Sequence, residues 1–319
     1  MKTMKKFKFR SGALAALSIG ALLVTGGLVT AGAASAAEST DVVRWVVPQT
    51  QQAGDYWTAE RMMAATPGDV LVGNKMASAS SVDVKVGHKT SVAKQSANTK
   101  GKPVSQLAPV SHIGKVFFTL RGSNYVCSGN AVAAANRNTV STAGHCVNEG
   151  PGAFATNFTF VPAYNNGSAP YGQWDATELY APTLWASGGD ISYDTGFAIV
   201  APPTGSTLSD TVGASGVAFN QSRGLTYTAY GYPAAPPFTG GTLQSCYGTA
   251  TDDPYGQTDS QGIPCDMTGG SSGGPWFIGS GSSGYQNSVN SFGYTSIKNT
   301  MFGPYWGSVI QSTYAAASA

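Results

Sequence analysis

Gly269-Gly270-Ser271-Ser272-Gly273-Gly274-Pro275 stands late in the chain, and Thr142-Ala143-Gly144-His145-Cys146 stands well upstream of it. A serine flanked by glycines lets the backbone crowd against a substrate carbonyl. A free serine hydroxyl is a weak nucleophile near neutral pH and needs a base within hydrogen-bond reach. His145 is the candidate base and Ser272 the candidate nucleophile. The pair points to nucleophilic acyl transfer, with peptide hydrolysis first among such reactions.

Residue order decides which scaffold carries the pair. The three histidines, His88, His112 and His145, all precede Ser272. Gly270-Ser271-Ser272-Gly273-Gly274 also fits the G-x-S-x-G nucleophile elbow, but that elbow belongs to chains running Ser, acid, His. No histidine follows Ser272. The order acid, His, Ser fails as well. The aspartates before His145 are Asp41, Asp55, Asp69 and Asp83, in a segment read below as removed. The order His, acid, Ser remains.

The base needs a carboxylate to fix its tautomer and stabilise the imidazolium. Asp194 stands just before the apolar run Gly196-Phe197-Ala198-Ile199-Val200, where a loop enters a buried strand. It is preferred to Asp190, whose Gly-Gly-Asp-Ile-Ser setting suits a turn. The backbone N–H groups of Gly270 and Ser272 are the candidate oxyanion hole, and Gly270 can adopt the backbone angles such a loop requires. Pro275 and Trp276 directly after the glycines point to a fixed turn entering a core strand. His112 is read as a surface residue near the start of the mature chain.

The bulk composition fits this chemistry. The 319 residues include 41 glycines, 11% are charged, and the net charge is +2. Low charge with abundant Gly, Ser, Thr and Tyr suits a secreted, β-rich protein. The basic residues gather at the N-terminus rather than in a patch, which gives no case for nucleic acid. Lys2, Lys5, Lys6, Lys8 and Arg10, an apolar run from Ala13 to about Val29, and Ala34-Ser35-Ala36 read as an export signal over 1–36. Once the signal is cleaved, no stable membrane association is expected.

Residues 37–104 have no cysteine and several lysines, and Ser91 to Lys102 is polar without a core pattern. They read as a propeptide ending in a cleavable linker. From Ile113 onward, short apolar runs broken by Gly, Pro and Asn give strand candidates at 116–120, 130–135, 139–142, 158–161, 196–200, 216–219, 226–230, 276–278 and 289–294. Ala201 to Ser206 is the expected linker between a half at 105–205 and a half at 206–319. Pro304 is placed at the start of a closing helix carrying Trp306, Val309, Ile310 and Tyr314 on one face.

Cys127, Cys146, Cys246 and Cys265 form an even set in an exported chain, which implies disulfides. Three pairings are possible. Cys127–Cys146 and Cys246–Cys265 are chosen because each closes a local loop. The spacing is not that of a zinc site, and neither a metal nor another cofactor is expected.

These motifs resemble the chymotrypsin-fold serine peptidases, specifically the bacterial, secreted, glutamyl-endopeptidase-like branch. The resemblance covers residues 105–319. It rests on Thr-Ala-Gly-His-Cys at 142–146, Gly-x-Ser-Gly-Gly-Pro at 270–275 and Ser291-Phe292-Gly293. It implies an all-β fold of two six-stranded antiparallel barrels with a short C-terminal helix, and a disulfide stapling the His145 loop. It also implies that Ser291, Phe292 and Gly293 pair with extended substrate beside the P1 residue, and that Gly303-Pro304-Tyr305 lines the far pocket wall. Many members carry an aspartate before the nucleophile that pairs with a freshly cut N-terminus; this chain has Ser271 there.

The resemblance also bears on specificity. Glutamate-specific members carry a histidine just before the Ser-x-Gly segment that helps bind the substrate carboxylate, and this chain has Asn290 at that substrate-binding position. Asp266 stands where trypsin-like members carry the aspartate at the pocket base. A basic P1 residue is therefore expected over an acidic one, beside the alternative that Asp266 is hydrogen-bonded within the loop closed by Cys246–Cys265. The full expectation is a secreted, monomeric serine endopeptidase acting on polypeptides and restrained or assisted by its own propeptide. An inactive protease-like binding module and a serine esterase on the same fold are the alternatives.

Overall fold

Three short strands lie upstream of the apolar texture: β1 (Val42–Val46), β2 (Thr66–Pro67) and β3 (Thr90–Val92). The computed structural model describes residues 41–48, 53–73, 84–98, 110–203, 205–279 and 281–319. The chain divides into two units, Met1–Ala37 and Glu38–Ala319. The first unit, with the expected export signal, lies outside the described residues, as do residues 99–109, which hold all the candidate cleavage positions from Lys100 to Val110 except Val110 itself.

The first half forms β4 (Ile113–Leu120), β5 (Ser123–Val132), β6 (Thr139–Thr142), β7 (Thr156–Pro162), β8 (Trp174–Pro182) and β9 (Gly196–Val200). The hydrogen-bonded order β7-β4-β5-β6-β9 is closed by β8, which pairs with both β7 and β9. These six strands make a closed barrel with no free edge among them. The β4–β5 hairpin turns at Arg121-Gly122, between the paired Leu120 and Ser123, with φ of 48° and 81°. Positive φ at both loop positions matches the twist of the strands it joins.

Every residue of β4 is buried. Its period-2 alternation sends Val116, Phe118 and Leu120 into the main core. The other face carries Ile113 and Phe117 into a second cluster with Trp57, Val161, Tyr232 and Phe277. Lys115 shares that second face; its Nζ donates to Gly240 O at 3.0 Å and lies 4.7 Å from the centre of the Tyr164 ring.

The second half forms β10 (Val217–Phe219), β11 (Thr226–Gly231), β12 (Gln244–Thr249), β13 (Thr251–Asp252), β14 (Gln261–Pro264), β15 (Pro275–Ile278), β16 (Gln286–Val289) and β17 (Thr300–Gly303). One sheet runs β12-β11-β15-β16-β10-β3 and another β13-β14-β17. The Cys246–Cys265 disulfide joins β12 to the end of β14, and a bridge between Phe292 and Phe302 joins the chain beyond β16 to β17. The second half is thus barrel-like rather than one continuous ladder. One contact, Val217 with Gln286, is parallel.

Several sequence expectations shift in position. The strand expected at 289–294 ends at Val289, because Ser291 and Phe292 turn to bond Phe302 O. The strand expected at 130–135 is the end of β5, which starts at Ser123. The closing helix begins at Ser308, not at Pro304. The backbone before it is held out of the helix, with Pro304 O accepting from Ser288 Oγ and Trp306 O from Asn220 N. Trp306 therefore precedes the helix, but it is fully buried and stacks on Phe219.

The upstream residues are not peripheral. β1 adds to β8, β2 to β5 and β3 to β10. Trp57 is 2% exposed and its Nε1 donates to Asn157 O. Within the stretch expected to be a linker, Ser91 and Val92 lie in β3 and Gln95 N donates to Ala214 O.

Candidate active site

β6 and β9 are antiparallel neighbours, with Thr142 opposite Gly196. His145 lies in a short 3-10 turn (Gly144–Cys146) just past the end of β6. Asp194 lies just before the start of β9. Strand register alone therefore brings the two together. His145 N donates to Asp194 Oδ1 at 2.7 Å, and His145 Nδ1 meets Asp194 Oδ2 at 2.8 Å. Ser291 Oγ donates to the same Oδ2 at 2.5 Å. With Nδ1–H directed at a carboxylate, Nε2 is left as the proton acceptor. Both side chains are fully buried, and His145 Nε2 has no hydrogen-bond partner among the described residues. Asp190 instead caps its own turn, accepting from Ser192 N at 3.0 Å.

The Ser272 loop is fixed by its carbonyls. Ser128 N donates to Ser272 O at 2.7 Å, Ser128 Oγ to Gly270 O at 3.0 Å, and Ala234 N to Gly269 O at 2.6 Å. Gly270 sits at φ +93°, where a Cβ would lie 2.8 Å from Ala234 Cβ. The N–H groups of Gly270 and Ser272 donate to no protein acceptor among the described residues. Cys146 Sγ lies 4.0 Å from Ser272 O, so the two motif loops touch. Ser272 Oγ is not hydrogen-bonded to His145 Nε2; such bonds often close only with substrate in place.

Ser271 has no ion pair, and neutral hydrogen bonds hold the loop instead. Ser271 Oγ donates to Thr268 O at 2.8 Å. Asn290 is fully buried behind the loop, its Nδ2 donating to Ser271 O and Tyr230 O and its Oδ1 accepting from Trp276 Nε1. It does not line the cleft, so the expected substrate-binding position is a loop support. Gly303 also lies elsewhere, packed against Ser288 Oγ and Val289 O.

A cleft of about 410 Å³ opens beside Ser272, walled by Asp266, Met267 and Thr268 on one side and Ser291, Phe292 and Gly293 on the other. Asp266 is exposed on this wall and accepts no hydrogen bond among the described residues, unlike the alternative that ties it into its loop. Lys298 lines the same cleft. His112 differs from its surface expectation. It is half-buried, with Nδ1 2.7 Å from Asn130 Oδ1, and burial holds its pKa below the usual histidine range.

Cys127–Cys146 and Cys246–Cys265 are the two disulfides. Cys127, His145 and Cys146 bring donor atoms within 4.8 Å of one another. Both sulfurs are committed to the S–S bond, so neither is a thiolate.

Comparison with known proteins places this geometry. A protease, Anisep, from Arthrobacter nicotinovorans is 65% identical, with a TM-score of 0.65 over 71% of this chain and 99% of that one. A thermostable serine protease, AL20, from an extremophilic microorganism is 55% identical, with a TM-score of 0.63 over 65% of this chain and 97% of that one. The chain belongs to the chymotrypsin-like serine protease family. A Glu endopeptidase shares the fold at 21% identity and a TM-score of 0.51, over 75% of this serine protease chain and 99% of its own. No protein-family model matches the chain. A curated relative from Bacillus subtilis, an extracellular metalloprotease by name, is 32% identical over 149 residues; the match spans 46% of this chain and 36% of that relative.

For this serine protease, the sequence offered His145, Asp194, Ser272 and Gly270 as candidates, and the fold brings them into one region. Sequence reasoning missed the Ser291 bond to Asp194, the support role of Asn290, and Asp69 in the cleft. No local motif marks Asp69. Only the pairing of β2 with β5 carries it there.

Proposed function

We propose that this protein is a secreted serine endopeptidase. Ser272 Oγ attacks the scissile carbonyl and its proton passes to His145 Nε2. The tetrahedral oxyanion is received by the N–H groups of Gly270 and Ser272. His145 then protonates the leaving amine, and water repeats the sequence to release the acyl group. The observation that carries the reading is the fully buried His145–Asp194 pair at 2.8 Å, on a turn whose Cys146 touches a serine loop with two unengaged N–H donors. Export by a signal over 1–36 and removal of 37–104 complete the proposal, in keeping with the two disulfides. The mature form is read as a monomer.

At P1 we propose a basic preference, carried by the Asp266 carboxylate on the cleft wall. Lys298 opposes it from the same cleft. A fluorophosphonate probe should label Ser272 of the processed enzyme, and Ser272→Ala should abolish both labelling and peptide turnover. Labelling of another residue overturns the assignment. On matched Lys, Glu and Phe peptides, Asp266→Ala should lose Lys turnover selectively. A Glu preference in the wild type, or unchanged Lys turnover in the variant, refutes the P1 reading.

A further inference from the structure

The upstream segment enters the candidate active site. β2 runs parallel to β5, with Thr66 beside Tyr125 and Pro67 beside Val126. The chain then forms a 3-10 turn, Gly68–Leu71, packed against the Gly144–Cys146 turn that holds His145. Gly68 is buried so closely that a Cβ there would lie 2.7 Å from Cys127 Sγ and 3.8 Å from His145 Cδ2. Asp69 follows, and its carboxylate fills the space a side chain at Gly269 would take. A Cβ on Gly269 would lie 2.0 Å from Asp69 Oδ1. Asp69 lines the same cleft as Ser272 and Ser291, and its Oδ1 is buried with no hydrogen-bond partner among the described residues. Val72, 3% exposed, anchors the far end of the turn in the core.

We propose that residues 66–72 are a built-in occupant of the cleft, in which the Gly68–Asp69 turn keeps the uncleaved chain latent until the segment is cut away and leaves. The inference rests on the serine endopeptidase reading and adds the regulation of its site. Two features favour occlusion over a misformed site. First, the Ser272 loop is already ordered by Ser128, Asn290 and Thr268, so no new N-terminus is needed to build it. Second, the segment is not presented as a substrate. Asp69 O accepts from Val72 N at 3.1 Å, which commits that carbonyl to the turn. A carboxylate in this position also opposes the negative charge that develops on a substrate oxygen during attack. Burial holds the Asp69 carboxyl above the usual carboxylate range, while the neighbouring His145 acts in the opposite direction.

The test uses the full secreted chain. Fluorophosphonate labelling is followed on a gel that separates uncleaved from processed bands. The uncleaved wild type should label at least about tenfold more slowly than the processed enzyme, the factor set by the small open fraction. Asp69→Ala should raise labelling of the uncleaved band towards the processed rate and leave the processed rate unchanged. Gly68→Val, which cannot pack against Cys127 Sγ, should do the same and covers the case in which the first variant fails to fold. Equal rates for uncleaved and processed wild type overturn the proposal. So do variants whose uncleaved bands stay as slow as wild type while their processed bands label normally. A processed wild-type enzyme that does not label at Ser272 refutes the serine endopeptidase reading instead.

Discussion

Asp194 commits one oxygen to the backbone N–H of His145 and the other to the His145 ring and the Ser291 hydroxyl. This carboxylate fixes both the position and the tautomer of the imidazole. Asp194→Asn keeps the size but offers an amide N–H to the ring or to Ser291, and so favours the wrong tautomer. The expected loss in kcat is about ten-thousandfold, read by peptide hydrolysis at constant pH. Asp190→Asn should leave kcat near wild type, since the Asp190 carboxylate bonds only Ser192 N of its own turn among the described residues. The reverse result would move the acid to Asp190.

The decisive elements are strands whose register delivers residues rather than strands that carry them. β6 and β9 were legible because β6 is a short run rich in β-branched residues just before the His145 motif and β9 is a short apolar run just after Asp194. β8 was not, because Asp175 and Glu178 interrupt its apolar pattern. Their partners, Gly54 N and Arg44, come from the upstream arm and are visible only in the fold. β4 carries a testable group of its own. Burial pushes Lys115 down to about 8 from an ordinary value of 10.5. Between these values the unfolded chain binds more protons than the folded one, so this group's contribution to stability rises with pH. Below about 8 the cost of the buried charge is fully present. Lys115→Met should therefore raise the thermal midpoint at pH 7, and the gain should shrink as pH approaches 10.5. A gain that stays constant across this range would show that burial of the charge is not what Lys115 costs.

At the scale of the whole molecule, the upstream chain grips both halves. Residues 41–48 and 53–73 lie along the first barrel through β1, β2 and Trp57. Residues 84–98 lie along the second half through β3, Gly87 N to Asn220 and Gln95 to Ala214. An element that pairs with both halves lowers the free energy of their docked state. Chain beginning at Val104 should therefore refold from denaturant in lower yield than chain beginning at Glu38, measured as recovered peptidase activity after processing. Equal yields would assign the upstream region to latency alone. N-terminal sequencing of active secreted enzyme should place its start near residue 100; a start near Ala37 would overturn removal of the propeptide.

The sequence by itself determined the chemistry and the class of fold. Motif order excluded the other serine scaffolds, because each links a fixed chain order to one topology. Glycine-rich turns between short apolar runs specified strands, and the even cysteine count implied disulfides, whose pairing among three the structure shows. Tertiary structure alone decided what depends on contacts between distant residues. The role of Ser291 came from its bond to Asp194, and that of Asn290 from the face of the Ser272 loop it meets. The exposure of Asp266 came from how its loop leaves β14. The place of Asp69 came from the parallel pairing of β2 with β5. None of these is marked locally, because a side chain's partner across a barrel is set by strand register and not by its sequence neighbours.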